Sequence, residues 1–108
     1  MVKLVEMVWQ IAEQNPKGFT ITLSDLKPVT TGWCIGHRET QNSFGKKGLK
    51  KVIEHSLRTT KVIGGWKGYD GRYYFDTVII EEDGRKAIDL KHEHGQRAVY
   101  HLDTGRIL

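Results

Sequence analysis

Hydrophobic and polar positions recur along this chain with two periods, and each period predicts a different element. Leu4, Val5, Val8, Ile11 and Ala12 fall at helical spacing, with Glu6, Gln10, Glu13 and Gln14 on the other side. This first helix should end near Asn15, because Pro16 disfavours helical geometry in the residue before it. Residues 18–23 alternate with period two and read as a strand. After a loop containing Pro28, residues 33–38 read as a second strand, with Trp33, Ile35 and His37 on one face. Residues 39–43 are polar and aperiodic. They lead into Leu49, Val52, Ile53 and Leu57, the apolar stripe of a second, amphipathic helix whose expected N-cap is Ser43.

Two further strands, residues 61–66 and 72–80, flank a turn at Asp70-Gly71, where both residues tolerate positive φ, so this segment predicts a hairpin. A short third helix follows through about His94, capped by Asp83 and closed by Gly95, with acids at its start and His92 and His94 in its last turn. Residues 97–102 form the last predicted strand. The expected order is α-β-β-α-β-β-α-β. That pattern places the chain in the α+β class: one domain spanning residues 1–108, a mainly antiparallel sheet, and helices packed on one face.

Composition narrows the picture. The 108 residues suffice for one core and not two, and no internal repeat or linker divides them. No run reaches about 18 apolar residues, so no membrane span is expected. Charges at Lys3 and Glu6 interrupt any secretory apolar region, and the single Cys34 excludes an internal disulfide. The expected location is therefore cytoplasmic. The net charge of +4 is unevenly placed: residues 46–72 carry eight basic side chains against two acidic, a local +6, whereas residues 73–108 sum to −2. A concentrated basic block attracts anions better than a dispersed excess.

Two constellations could carry function. The first is Gln41, Asn42, Ser43, Gly45, Lys46, Lys47 and Gly48, continued by Lys50 and Lys51 on the second helix. A polar loop entering a helix exposes free backbone N–H groups and the positive end of the helix dipole, and lysines add charge. The expected partner is nucleic acid or another anionic ligand, and the expected role is non-enzymatic binding. The second constellation is the hairpin set Trp66, Lys67, Tyr69, Arg72 and Tyr74, in which aromatics interleave with cations. Such a surface could stack bases or bind a protein partner, as an accessory or inhibitor module would. Alternation sends Tyr73 and Phe75 to the opposite face, into the core. A third reading is a small nucleotide-handling enzyme centred on Glu39, Gln41 and Asn42. His92-Glu-His94 lacks HExxH spacing, His37 and His101 could meet on one sheet face, and Cys34 reads as a small buried hydrophobe; no metal and no cofactor is expected. An exposed edge strand would permit a homo-oligomer.

Residues 32–55, together with Ile63-Gly-Gly-Trp66, Tyr73-Tyr-Phe-Asp76 and Ala98-Val-Tyr-His-Leu-Asp103, resemble small proteins of no established activity carried by phages and other bacterial mobile elements. That resemblance, which runs from about Gly18 onward, implies a bacterial cytoplasmic setting and an accessory role. Locally, Gly45-Lys-Lys-Gly48 resembles the GXXG loop of KH domains, which clamps a single-stranded backbone, although that loop joins two helices in the KH family.

Overall fold

The computed structural model describes every residue from Met1 to Leu108. The first helix, α1 (Val2–Gln14), buries Val5, Val8 and Ala12, and its last turn is closed by Asn15, whose side chain donates to the Ile11 carbonyl at 2.7 Å. Strand β1 (Phe19–Thr22) follows, then β2 (Trp33–Gly36). The chain next makes a single 3-10 turn (Arg38–Thr40) and a two-residue strand, β3 (Ser43–Phe44), before helix α2 (Gly45–Arg58). The hairpin is β4 (Val62–Lys67) and β5 (Tyr73–Glu81), turned at Gly71 with φ of 82°. Helix α3 (Gly84–Glu93) begins where the Asp83 carboxylate accepts from the amides of Arg85 and Lys86, and ends at Gly95 with φ of 61°. The chain closes with β6 (Tyr100–His101).

The strands form one antiparallel sheet in the order β1-β4-β5-β2-β6, with β3 also paired to β5. Strand β5 is the organiser. It pairs along β4 through residues 73–77, with β3 at Tyr74 and Phe75, and with β2 through residues 78–81.

Alternation along β5 sorts the molecule into layers. Phe75, Thr77 and Ile79 point to the side that carries the helices. There Phe75 joins Val5, Val8, Ile21, Leu49, Val52, Ile53 and Ile63 in the main core, and Trp33 and Ile35 of β2 pack with Ala87 of α3 and Val99 in a second, smaller one. Tyr73 shares this side. Its hydroxyl donates to the Asn15 carbonyl at 2.6 Å, and burial pushes its pKa up to about 12. Tyr74 and Asp76 face the other way. All three helices therefore cover one face of the sheet, and no helix covers the other.

Three details depart from the sequence expectations. Ser43 is not a helix cap: it lies in β3, paired with Phe75 and buried, and α2 starts two residues later behind Phe44. Leu57 is 40% exposed; the buried side of α2 is completed instead by His55 and Ser56, because a polar network lies where an apolar stripe would continue. The last strand shrinks to two residues, and the remainder of its expected range folds back on itself, with Val99 and Leu108 exchanging backbone hydrogen bonds at 3.0 and 3.1 Å.

Candidate functional site

The helix-free face carries an ordered row of aromatic rings. Phe44 of β3 stands opposite Tyr74 of β5, which stands opposite Trp66 of β4, so cross-strand register places all three on the same side. The Phe44 and Tyr74 centroids are 5.6 Å apart, and those of Tyr74 and Trp66 are 4.6 Å apart at an interplanar angle of 76°. Trp66 is 51% exposed and Phe44 41%, an unusual degree for rings this close to a core. The Arg72 guanidinium lies 4.4 Å from the centre of the Phe44 ring. The turn fixes this arrangement. The Tyr74 hydroxyl donates to Asp70 Oδ2 at 2.5 Å, which holds the Asp70 carboxyl below its ordinary range and the Tyr74 phenol above its own. Tyr69 projects freely beside them.

Next to the row, the same face sinks into a cleft of about 700 Å³ between the sheet and the C-terminal segment. Its floor is Asp76, two residues from Tyr74 and paired with Gly64. Burial pushes the Asp76 carboxyl up to about 7. Two strand glycines leave both its flanks bare: a Cβ at Gly36 would lie 2.5 Å from Asp76 Oδ2, and one at Gly64 would lie 3.1 Å from Oδ1. Trp66 forms one wall, Tyr100 and Ile107 the other, and Lys17 also lines the cleft. Cys34 lines it too, partly rather than fully buried. Desolvation, the main cause, with the Asp76 charge adding a smaller push, drives its thiol up to about 11, well away from the thiolate form a nucleophile needs.

A second polar cluster lies on the helix side. His55 Nε2 is 3.1 Å from Glu39 Oε2, its Nδ1 is 2.9 Å from Thr77 Oγ1, and Thr77 Oγ1 is 2.6 Å from Ser56 Oγ. Carboxylate, imidazole and hydroxyl thus follow the order of a nucleophilic triad. Both hydroxyls, however, are fully buried, so no substrate reaches them. The chain instead ties α2 to β5, and Thr40 Oγ1 extends it by accepting from the Thr77 amide at 2.9 Å. The His37 ring lies between those of His55 and His94, with centroids 4.6 and 4.5 Å away. Burial, then repulsion by these two neighbours, holds His37 below its ordinary pKa. Ligand atoms of His37, Glu39 and His55 come within 4.8 Å of one another, a span that could hold a metal ion. Both His55 nitrogens are already engaged, Nδ1 with Thr77 and Nε2 with Glu39, so an ion there would have to displace one of these bonds. His101 does not join His37: its ring packs on Trp33 at 4.4 Å and its Nε2 pairs with Asp103 at 3.1 Å.

The residues singled out from sequence divide between the two sides. Lys47, Lys50 and Lys51 are exposed on α2, on the helix side. Lys46 is engaged: it pairs with Glu6 at 3.3 Å and sits 5.6 Å from the Trp9 ring centre. Gly45 and Gly48 belong to the first turn of α2, preceded by a strand rather than by a helix. Gln41 donates to the His94 carbonyl at 3.3 Å, and Asn42 is exposed with φ of 61°. Neither of the two main clefts is lined by any residue of 39–48, so Glu39, Gln41 and Asn42 do not converge on one. Trp66, Arg72 and Tyr74 do come together; Lys67, at the end of β4, does not join them, because it pairs with Tyr73 and lines a cleft with Trp9 and Ala12 on the helix side.

Sequence reasoning missed Phe44, Asp76, Gly36, Gly64 and Gln96. Two signals were available. A carboxylate in the middle of an apolar strand is anomalous, and glycines inside strands mark places where something must approach closely. No protein-family model matches this chain, and neither a curated protein nor a solved structure is similar to it.

Proposed function

We propose that this protein is a non-enzymatic module that binds single-stranded nucleic acid, with the bases on the helix-free face of the sheet. The observation that carries this reading is the Phe44–Tyr74–Trp66 row, aligned by strand register, exposed at Phe44 and Trp66, and flanked by Arg72. Flat rings on an open sheet accept successive bases by stacking, and neighbouring cations track the phosphates. Arg72 and Lys17 supply that charge on this face. Lys47, Lys50 and Lys51, across the sheet on α2, add long-range attraction rather than contacts to the bases. The accessory role implied by the likeness to mobile-element proteins fits such a module.

The test is fluorescence anisotropy with a labelled ten-nucleotide single strand and with a duplex of the same length. The single strand should bind more tightly, and affinity should fall steeply with salt. Trp66→Ala should weaken single-strand binding about ten- to a hundred-fold, the stacking contribution of one or more bases. Unchanged affinity in Trp66→Ala and in Phe44→Ala, both folded, would overturn the reading.

A further inference from the structure

We infer that the cleft beside Trp66 takes one unstacked guanine-type base of the bound strand, with Asp76 accepting hydrogen bonds from its two neighbouring N–H groups. This deepens the nucleic-acid reading above and rests on it for the source of the ligand.

Neither Asp76 oxygen receives a hydrogen bond from within the protein, although the residue lies in the cleft floor and its carboxyl is substantially desolvated. Gln96 adds a third acceptor. Its Nε2 is committed to the His94 carbonyl at 3.1 Å, and its Oε1 lies over Gly36, where a Cβ would be 2.9 Å from it and 2.5 Å from Asp76 Oδ2. The bare Cα atoms of Gly36 and Gly64 keep both carboxylate oxygens open to the cleft. Above pH 7, where Asp76 is ionised, three converging acceptors with no donor among them call for a ligand edge rich in N–H groups.

Among the bases, guanine alone presents two adjacent N–H donors on its Watson–Crick edge; adenine and cytosine set a donor beside an acceptor, and uracil flanks its single donor with acceptors. The surroundings favour a base over a cationic ligand with the same donor pair. Lys17 lines the cleft, so its rim repels a guanidinium and attracts a phosphate. Trp66, the last ring of the aromatic row, is also a wall of the cleft, so a strand stacked along the row delivers its next base there. The cleft volume suits one nucleoside.

The test compares a ten-nucleotide all-uracil RNA with the same strand carrying one central guanine, alongside GMP, AMP and free arginine as small probes. A single guanine should raise affinity on the order of ten- to a hundred-fold, the discrimination of a good bidentate contact. GMP should bind and AMP should not. Asp76→Asn, nearly isosteric, should abolish the guanine preference while keeping the affinity for the all-uracil strand. Equal affinity for the two strands would overturn the inference, as would an undiminished preference in Asp76→Asn or binding of arginine without GMP. The two readings fail separately. Strands that bind without guanine preference remove only the base pocket, whereas GMP binding without strand binding removes only the strand reading. Loss of all binding removes both.

Discussion

Strand β5 presents two chemistries from consecutive residues. Phe75 and Thr77 face the helices, where Phe75 is enclosed by the main core and the Thr77 hydroxyl meets both His55 and Ser56. Tyr74 and Asp76 face away, where the ring is partly open and the carboxyl has no protein partner. No fully buried side-chain nitrogen or oxygen in the molecule lacks a partner, and on the first side the Thr77, Ser56 and His55 atoms satisfy one another. The second side keeps rings exposed and a carboxylate in a desolvated place. Stability is built on one face; on the other, groups are held in states that cost stability, as binding sites require.

The largest expected effect that separates the faces comes from removing one ring on each. Phe75→Ala should destabilise the fold by about 3–5 kcal/mol, because it opens a cavity in the main core, whereas Phe44→Ala should cost under about 1 kcal/mol. Chemical denaturation measures both, and equal losses would erase the distinction. Next in size is the Thr77 hydroxyl. Thr77→Val keeps the shape but strips His55 Nδ1 and Ser56 Oγ of a partner, which should cost about 1–3 kcal/mol.

The third expectation has the opposite sign. The folded Asp76 carboxyl holds its proton up to about pH 7, whereas the unfolded one releases it from 3.8. Between these values the folded state binds more protons, so stability should fall as pH rises through that window and level off above it. Asp76→Asn should flatten this slope and stabilise the protein at pH 8 by on the order of 1–3 kcal/mol. The helix side responds to acid instead. His37 is held below its ordinary 6.5, so stability should be lost as pH falls through that value, and His37→Phe should remove the loss. Thermal melts from pH 4 to 8 separate the two slopes. The smallest expected effect is that of Lys50→Gln with Lys51→Gln: within about 0.5 kcal/mol in stability, and a weaker salt dependence of strand binding with base preference unchanged.

How much of this was legible in the sequence follows from range. The helices, the hairpin turn at Asp70-Gly71 and the Asp83 cap are local, and periodicity or a single residue's backbone preference specifies each. So is the split of Tyr73 and Phe75 from Tyr74. The sites are not local. Phe44 joins Tyr74 and Trp66 only because a two-residue strand adds to β5, and two residues show no period. Asp76 meets Gly36 through sheet order and Gln96 through the loop after α3, neither of which any spacing encodes. The imidazoles of His37, His55 and His94 meet across three elements. The lysine block on α2 was plain in the sequence because charge is visible without a fold; its place opposite the aromatic row was not.

The central claim is that bases are bound on the helix-free face. Backbone amide shifts of the labelled protein, followed as a ten-nucleotide single strand containing one guanine is added, test it most directly. The expected result is a set of perturbations at Phe44, Gly64, Gly65, Trp66 and residues 72–76, extending to Gly36 and Gln96, with the outer face of α2 nearly silent. Perturbations confined to Lys47, Lys50, Lys51 and Arg58, with Trp66 and Asp76 unmoved, would contradict it.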